Sequence, residues 1–290
     1  LEGIRDDEKV ISILPMERSL IENPEGHFLM FATANGRIKK SKLSEYSRIN
    51  RNGKFALKFA DGDSDNLVSV RPATDADHVV LVSASGNACR FMPSEEKTRV
   101  SPETGEAVTT YVVRVQGRIS QGVSGMKLAK GDKVIGMIVT GDFDTSVLTI
   151  SKYGMAKRSR LGSGEMVPLA EEGVAIVDDS GSQVFERDGY RKTNRGTKGV
   201  RTMSLREGDE IVSVRQIPDL EDQLFMLTGS GMMIRMVSGQ TKETLGKVTK
   251  GTRIMELRNR DRTGYADEIV FVARLPSELI STGESLGEEE

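Results

Sequence analysis

Short apolar runs recur along this chain, each followed by a turn glycine and, four residues later, a cation. Residues 28–33 precede Gly36 and Lys40, 79–83 precede Gly86 and Arg90, 147–150 precede Gly154 and Arg158, and 224–228 precede Gly231 and Arg235. Asn35-Gly36, Ser85-Gly86, Tyr153-Gly154 and Ser230-Gly231 supply the positive φ that a tight hairpin turn requires. A second half follows each hairpin. Gly-rich segments at 52–57, 121–128, 195–200 and 246–251 lead into a strand. Next come the turns Gly62-Asp63, Gly131-Asp132 and Gly208-Asp209 and the apolar strands 67–70, 134–135 and 211–214; residues 260–264 precede 269–272 in the last unit. The pattern predicts an all-β chain of four-stranded repeats with a period of about fifty residues, which favours propeller-like blades.

The spacing is uneven. Gly36 to Gly86 is 50 residues, Gly86 to Gly154 is 68 and Gly154 to Gly231 is 77. The excess falls in the polar stretches 95–110 and 162–188, read as loops, where insertions cost little. Residues 7–13 match the closing strand at 209–214 with no hairpin before them, so the chain is expected to start inside a repeat. The expected domain is 1–276, with a partial blade at 1–20 and complete blades at about 27–71, 78–139, 146–216 and 223–274. An acidic, disordered tail is expected at 277–290.

Composition narrows the function. Net charge is −2, from 41 Lys and Arg against 43 Asp and Glu, which excludes a uniformly basic binder. The charge is unevenly spread, with cations dense between Arg37 and Lys58 and acids dense at the C-terminal end. Trp is absent and aromatics are 5%, too few for stacking platforms for unpaired bases. One cysteine, Cys89, excludes an internal disulfide and a thiolate zinc site, in keeping with a reducing cytoplasm. No apolar run approaches the roughly 18 residues of a membrane span.

A cation at one place in every repeat predicts a basic rim that tracks phosphates. The expected contacts are Lys40, Arg90, Arg158 and Arg235, with Arg37, Lys39, Lys42, Arg48, Arg51, Arg118, Lys127, Lys157 and Arg160 near them. To these are added the Gly-rich loop cations Arg191, Lys192, Arg195, Lys198, Arg201, Lys247, Lys250 and Arg253. Residues 191–201 hold five cations and no acid, and glycine lets backbone N–H groups approach a phosphate. Contacts of this kind are blind to sequence and favour a bent duplex. Catalysis finds no constellation: His27 and His78 lack partner motifs, no P-loop is present, and residues 61–66 are a poor calcium loop. Met232, Met233 and Met236 read as core filler.

Residues 28–46, Tyr153-Gly154-Met155-Ala156-Lys157-Arg158 and 193–200 resemble the C-terminal domain of DNA gyrase A, and the likeness runs from Asp6 to about Leu275. The resemblance implies a β-pinwheel, a disc with strand exchange between blades, that wraps double-stranded DNA. It implies a bacterial cytoplasmic parent, a topoisomerase that supercoils DNA with ATP and Mg in an A2B2 complex with gyrase B, and no cofactor in this part. The family's Gln-Arg-Arg-Gly-Gly-Lys-Gly box is absent; residues 194–199 form only a related loop. The catalytic tyrosine belongs to a region that this chain lacks. Neither DNA cleavage nor chiral wrapping is therefore carried over. The equivalent C-terminal domain of topoisomerase IV and a propeller-like protein-interaction scaffold remain open as alternatives.

Overall fold

The computed structural model describes residues 10–49, 53–59, 64–171, 174–244, 249–257 and 267–284. The first repeat contributes strands β1 (Phe28–Thr33), β2 (Arg37–Lys42) and β3 (Leu67–Ala73). The second contributes β4 (His78–Ser83), β5 (Asn87–Phe91), β6 (Glu96–Val100), β7 (Ala107–Tyr111), β8 (Val123–Ser124) and β9 (Val134–Thr140). The third holds β10 (Ser146–Ser151), β11 (Met155–Arg160), β12 (Met166–Pro168), β13 (Ala170–Glu171), β14 (Val174–Ala175), β15 (Phe185–Arg187), β16 (Val200–Arg201) and β17 (Ile211–Ile217). The fourth holds β18 (Gln223–Thr228), β19 (Met233–Val237), β20 (Thr252–Arg253) and β21 (Ile269–Leu275). The fold is all-β, built of small antiparallel sheets.

Two compact units share these strands. One contains residues up to Ala84 with Ala88–Gly141 and Thr193–Gly199; the other contains Ser85–Asn87, Asp142–Lys192 and residues from Val200 onward. In every repeat the first strand is central, flanked by its hairpin partner and by the closing strand: β3-β1-β2, β9-β4-β5, β17-β10-β11 and β21-β18-β19. The central strands β1, β4 and β10 are buried at every position, because both faces of the sheet are covered. In the first, third and fourth repeats an aspartate ties the closing loop to the hairpin. Asp65, Asp209 and Asp267 accept the turn N–H of Asn35, Tyr153 and Ser230 at 2.8, 3.1 and 3.0 Å.

The Gly-rich segments of the second, third and fourth repeats do not complete their own sheets. Each crosses to the hairpin of the repeat before. β8 pairs with β2, with Arg37 opposite Ser124 and Ile38 opposite Val123, and β20 pairs with β11, with Met155 opposite Arg253. Thr193 N donates to Arg90 O on β5 at 2.6 Å. The donated segment has one grammar: Gly122, Met126 and Leu128; Gly199, Met203 and Leu205; Gly251, Met255 and Leu257. The methionines are 2%, 1% and 5% exposed, each burial contributing about 1.5–3 kcal/mol. The carbonyls of Met126, Met203 and Met255 lie over the turn glycines Gly36, Gly86 and Gly154, where a Cβ would stand 2.6, 2.8 and 2.5 Å away.

Two expectations about the ends are corrected. Residues 10–13 form no strand, and Val10, Ile11 and Ile13 are exposed; Leu14, Met16 and Leu20 instead pack on Leu29, Phe31 and Leu43. Of the predicted disordered tail, Ser277–Glu284 is a helix (α2; α1 is Arg18–Glu22), held where Asp222 accepts the Ser277 N–H at 3.0 Å. Its last residues, 285–290, lie outside the described residues, as do 1–9 of the partial blade and 260–264. The two predicted insertion loops are hairpins: β6 pairs with β7, β12 with β15 and β13 with β14. Met232 and Met233 are 38% and 66% exposed rather than core filler, whereas Met236 packs on the core.

The slot glycine generates a test within one unit. Gly154 and Gly231 both have positive φ, 80° and 87°, but nothing lies within 4 Å of a Cβ built at Gly231. Gly154→Ala is expected to cost clearly more stability than Gly231→Ala, whose loss is about 1–2 kcal/mol from the left-handed backbone alone. Urea unfolding of the two variants checks this, and equal losses would refute the role assigned to the overlying carbonyl.

Candidate nucleic-acid interface

The hairpin cations were expected on a solvent-facing rim. The structure places most of them inside. Lys39, Lys40, Arg90, Lys157 and Arg158 are 0%, 3%, 1%, 2% and 8% exposed, because the donated segment and its loop cover the hairpin strand that carries them. A surface phosphate cannot reach these five side chains.

Their partners explain how charge is tolerated there, since a buried ammonium or guanidinium needs hydrogen bonds to offset lost hydration. Lys40 pairs across β1 with Met30, and its Nζ donates to Asp75 and Ser94 Oγ, both at 2.6 Å, over the Phe28 ring. Arg158 donates to Thr241 O, Ser146 Oγ and Glu243 at 2.9, 3.1 and 2.8 Å. Arg90 Nε donates to His78 Nδ1 at 3.2 Å. Lys39 donates to the carbonyls of Ala56 and Arg118, both at 2.6 Å, and Lys157 to that of Thr202 at 2.7 Å. Desolvation pulls both lysines down to about 8 from 10.5, with Glu45 partly opposing it at Lys39 and Arg118 adding to it.

Arg235 is the control. It has the same spacing on β19, yet it is exposed, because no strand covers the outer edge of β19 among the described residues. It hydrogen bonds Gln223 and sits 5.8 Å from the Phe225 ring centre.

Other expected contacts act as staples. Arg37 is half-buried and donates to the carbonyls of Gln121 and Gly122 at 2.8 and 2.9 Å, clamping the donated segment. Arg195 holds Val112 O at 2.8 Å and Ser124 O, and burial lowers its pKa, followed by the Arg99 charge. Arg118 is half-buried, with its backbone N–H on Glu45 at 3.1 Å. Arg160 bridges Asp144 and Asp188, and Lys192 bridges Glu165, all at the surface. Lys42, Arg48 and Arg191 are exposed, and Arg51 and Lys247 lie outside the described residues.

The exposed recurrent cations sit on the donated segments instead. Lys198 and Lys250 each precede the crossing glycine, Arg201 and Arg253 each follow it by two residues, and Lys58 and Lys127 share the fifth place after Gly53 and Gly122. All six are exposed, with no side-chain partner among the described residues. Arg201 and Arg253 end the short strands β16 and β20 with their side chains exposed, whereas Met203 and Met255, just beyond those strands, enter the core. Lys58 was not among the expected contacts; the place it shares with Lys127 is the signal that groups it with them. Among the described residues no group of three or more metal-ligating side chains occurs, and no helix is long and apolar enough to cross a membrane.

The buried lysines generate a pH prediction. Above pH 8 the folded protein has released protons that the unfolded chain holds until about 10.5, so stability rises with pH across that window. Tyr190, buried and pushed up to about 12, works in the opposite sense only above 10. The urea midpoint is expected to climb from pH 8 to 10, with a smaller climb in Lys39→Met and Lys157→Met; a flat profile would contradict the burial of these ammonium groups.

Residues 27–74, 108–140, 184–218 and 222–263 match the family described as DNA gyrase C-terminal domain, beta-propeller. The chain is 28% identical over 282 residues to the DNA gyrase A protein of Rickettsia prowazekii, covering 90% of this chain and 29% of that protein. It is 29% identical over 273 residues to the DNA gyrase A protein of Escherichia coli K12, covering 94% of this chain and 25% of that protein. It thus spans less than a third of the length of these relatives. The C-terminal domain of DNA topoisomerase IV superposes with a TM-score of 0.68 at 17% identity, over 99% of this chain and 73% of that one. The DNA gyrase A C-terminal domain superposes with 0.59 at 20% identity, over 87% and 67%. At these identities the two structures show the fold. With over half of its residues matched by the family, and with the propeller-like blades that the family's description names, the chain belongs to the DNA gyrase C-terminal domain family.

Proposed function

We propose that this chain is a duplex-binding module that holds and bends DNA through its phosphate backbone, as part of a DNA gyrase A protein. The observation that carries the reading is the recurrence of exposed, unpartnered cations on successive donated segments, in a chain of this family. Each cation that neutralises a phosphate releases counterions, whereas it reads no base edge, so binding is sequence-tolerant and steeply salt-dependent. Bending a 20–30 bp site costs about 1–6 kcal/mol, which several such contacts offset. In the parent protein the bent duplex would be presented to strand-passing machinery that uses ATP and Mg, with gyrase B as partner, in the bacterial cytoplasm.

Fluorescence anisotropy with unrelated duplexes at several salt concentrations tests this. Replacing Lys127, Lys198, Lys250 and Arg253 by Gln should weaken all duplexes alike and flatten the log–log salt slope by about 3–4. No binding at low salt, an unchanged slope, or a loss confined to one sequence would each sink the reading.

A further inference from the structure

Lys39 and Lys157 occupy the same place in the first and third repeats, and their surroundings differ in one respect. Both donate to the carbonyl three residues beyond a glycine of a Gly-rich segment, Gly53 for Ala56 and Gly199 for Thr202. Lys39 has a second carbonyl, Arg118 O, and Glu45 nearby. Lys157 has Thr202 O alone among the described residues, and no carboxylate offsets its desolvation. An ammonium carries three donors, so two remain. Beside it, within the second compact unit, opens a cavity of about 310 Å³ that Lys157 lines.

The rest of the lining favours an anion. Arg201 is exposed with no partner among the described residues, and Arg187 is tied only to the carbonyl of Gly164 at 2.7 Å. Two of the three lining carboxylates are engaged: Glu243 by Arg158 at 2.8 Å, and Asp188 by the Ser163 N–H at 2.7 Å and by Arg160 at 3.5 Å. Only Glu186, at the exposed margin, opposes an incoming negative charge. Three cations without a carboxylate partner therefore face one carboxylate. The Tyr190 hydroxyl, kept protonated by burial, supplies a neutral polar wall with Thr202. The volume suits a small molecule rather than a macromolecular surface.

We propose that this cavity is a binding site for a phosphate group, held by the free donors of Lys157 and by Arg201 at the mouth. The phosphate is carried by a small molecule or by the end of a nucleic acid strand; a phosphodiester backbone lying across the surface does not enter it. The inference is separable from the duplex-binding reading: only Arg201 is shared with the exposed recurrent cations, and it is not among the residues neutralised in that test.

Calorimetric titration of the full chain with inorganic phosphate, against chloride at matched ionic strength, tests the site. Saturable one-site binding is expected, with affinity reduced tenfold or more in both Lys157→Met and Arg201→Gln. Absence of saturable heat, or equal affinity in the variants, overturns the proposal. Should Lys157→Met fail to fold, Arg201→Gln decides alone, since that side chain is exposed. Adding duplexes with and without a 5′-phosphate names the source: competition by the phosphorylated duplex alone marks a strand end, and by neither marks a small molecule. Competition by both would overturn the exclusion of a backbone phosphate. The protein with Lys127, Lys198, Lys250 and Arg253 replaced should still bind phosphate, so failure of either reading leaves the other standing.

Discussion

The close approach of a donated strand to a turn glycine is the contact on which the rest of this molecule depends. The carbonyls of Met126, Met203 and Met255 come so near Gly36, Gly86 and Gly154 that no side chain fits. That proximity lets the methionine behind each carbonyl drop into the core and lets Leu128, Leu205 or Leu257 close over the turn. Hairpin twist, core filling and linkage between repeats all meet at that point. A four-residue turn alone would need glycine for its φ; here glycine is needed a second time, for clearance.

The buried cations follow from the same contact. Covering β2, β5 and β11 on their outer edges removes water from side chains that the chain nevertheless makes charged. Lys39, Lys40, Lys157 and Arg158 find carbonyls or carboxylates in covering segments and loops, and Arg90 finds the imidazole of His78 on the neighbouring strand β4. Such groups are poor sources of net stability, since desolvation consumes most of the attraction. They do penalise misplacement, because a slipped segment would leave an ammonium such as Lys39 or a guanidinium such as Arg158 buried without its acceptors.

Much of this was legible in the residues. Turn glycines, apolar runs and closing strands announced the blades, and the family resemblance implied exchange between them. The expected rim was not legible, because a lysine at a hairpin position signals solvent unless one knows that another strand will lie on it. That knowledge is non-local: the strand covering Lys39 is some eighty residues away. Arg235 has the same local sequence pattern and a different fate, so no reading of one repeat could separate it from Arg158. The information lay instead in aligning the Gly-rich segments with one another, where Met126, Met203 and Met255 fall in register and Lys198 and Lys250 fall beside the crossing glycine. The capping role of Asp65, Asp209 and Asp267 escaped for a related reason: an aspartate there reads as local turn chemistry, whereas the N–H that it caps lies 30, 56 and 37 residues away.

The offset between repeat and sheet also sets an order in time. A sheet cannot be finished until the following repeat has been made, because its covering strand is encoded beyond the next hairpin. On a ribosome the first hairpin emerges with Lys39 and Lys40 still hydrated, and it waits for Gly122 and Met126 before it can close. Every completed blade therefore leaves behind it another that is unfinished, and the growing chain carries one open edge forward along its length. Synthesis and folding advance in the same direction, one repeat out of phase.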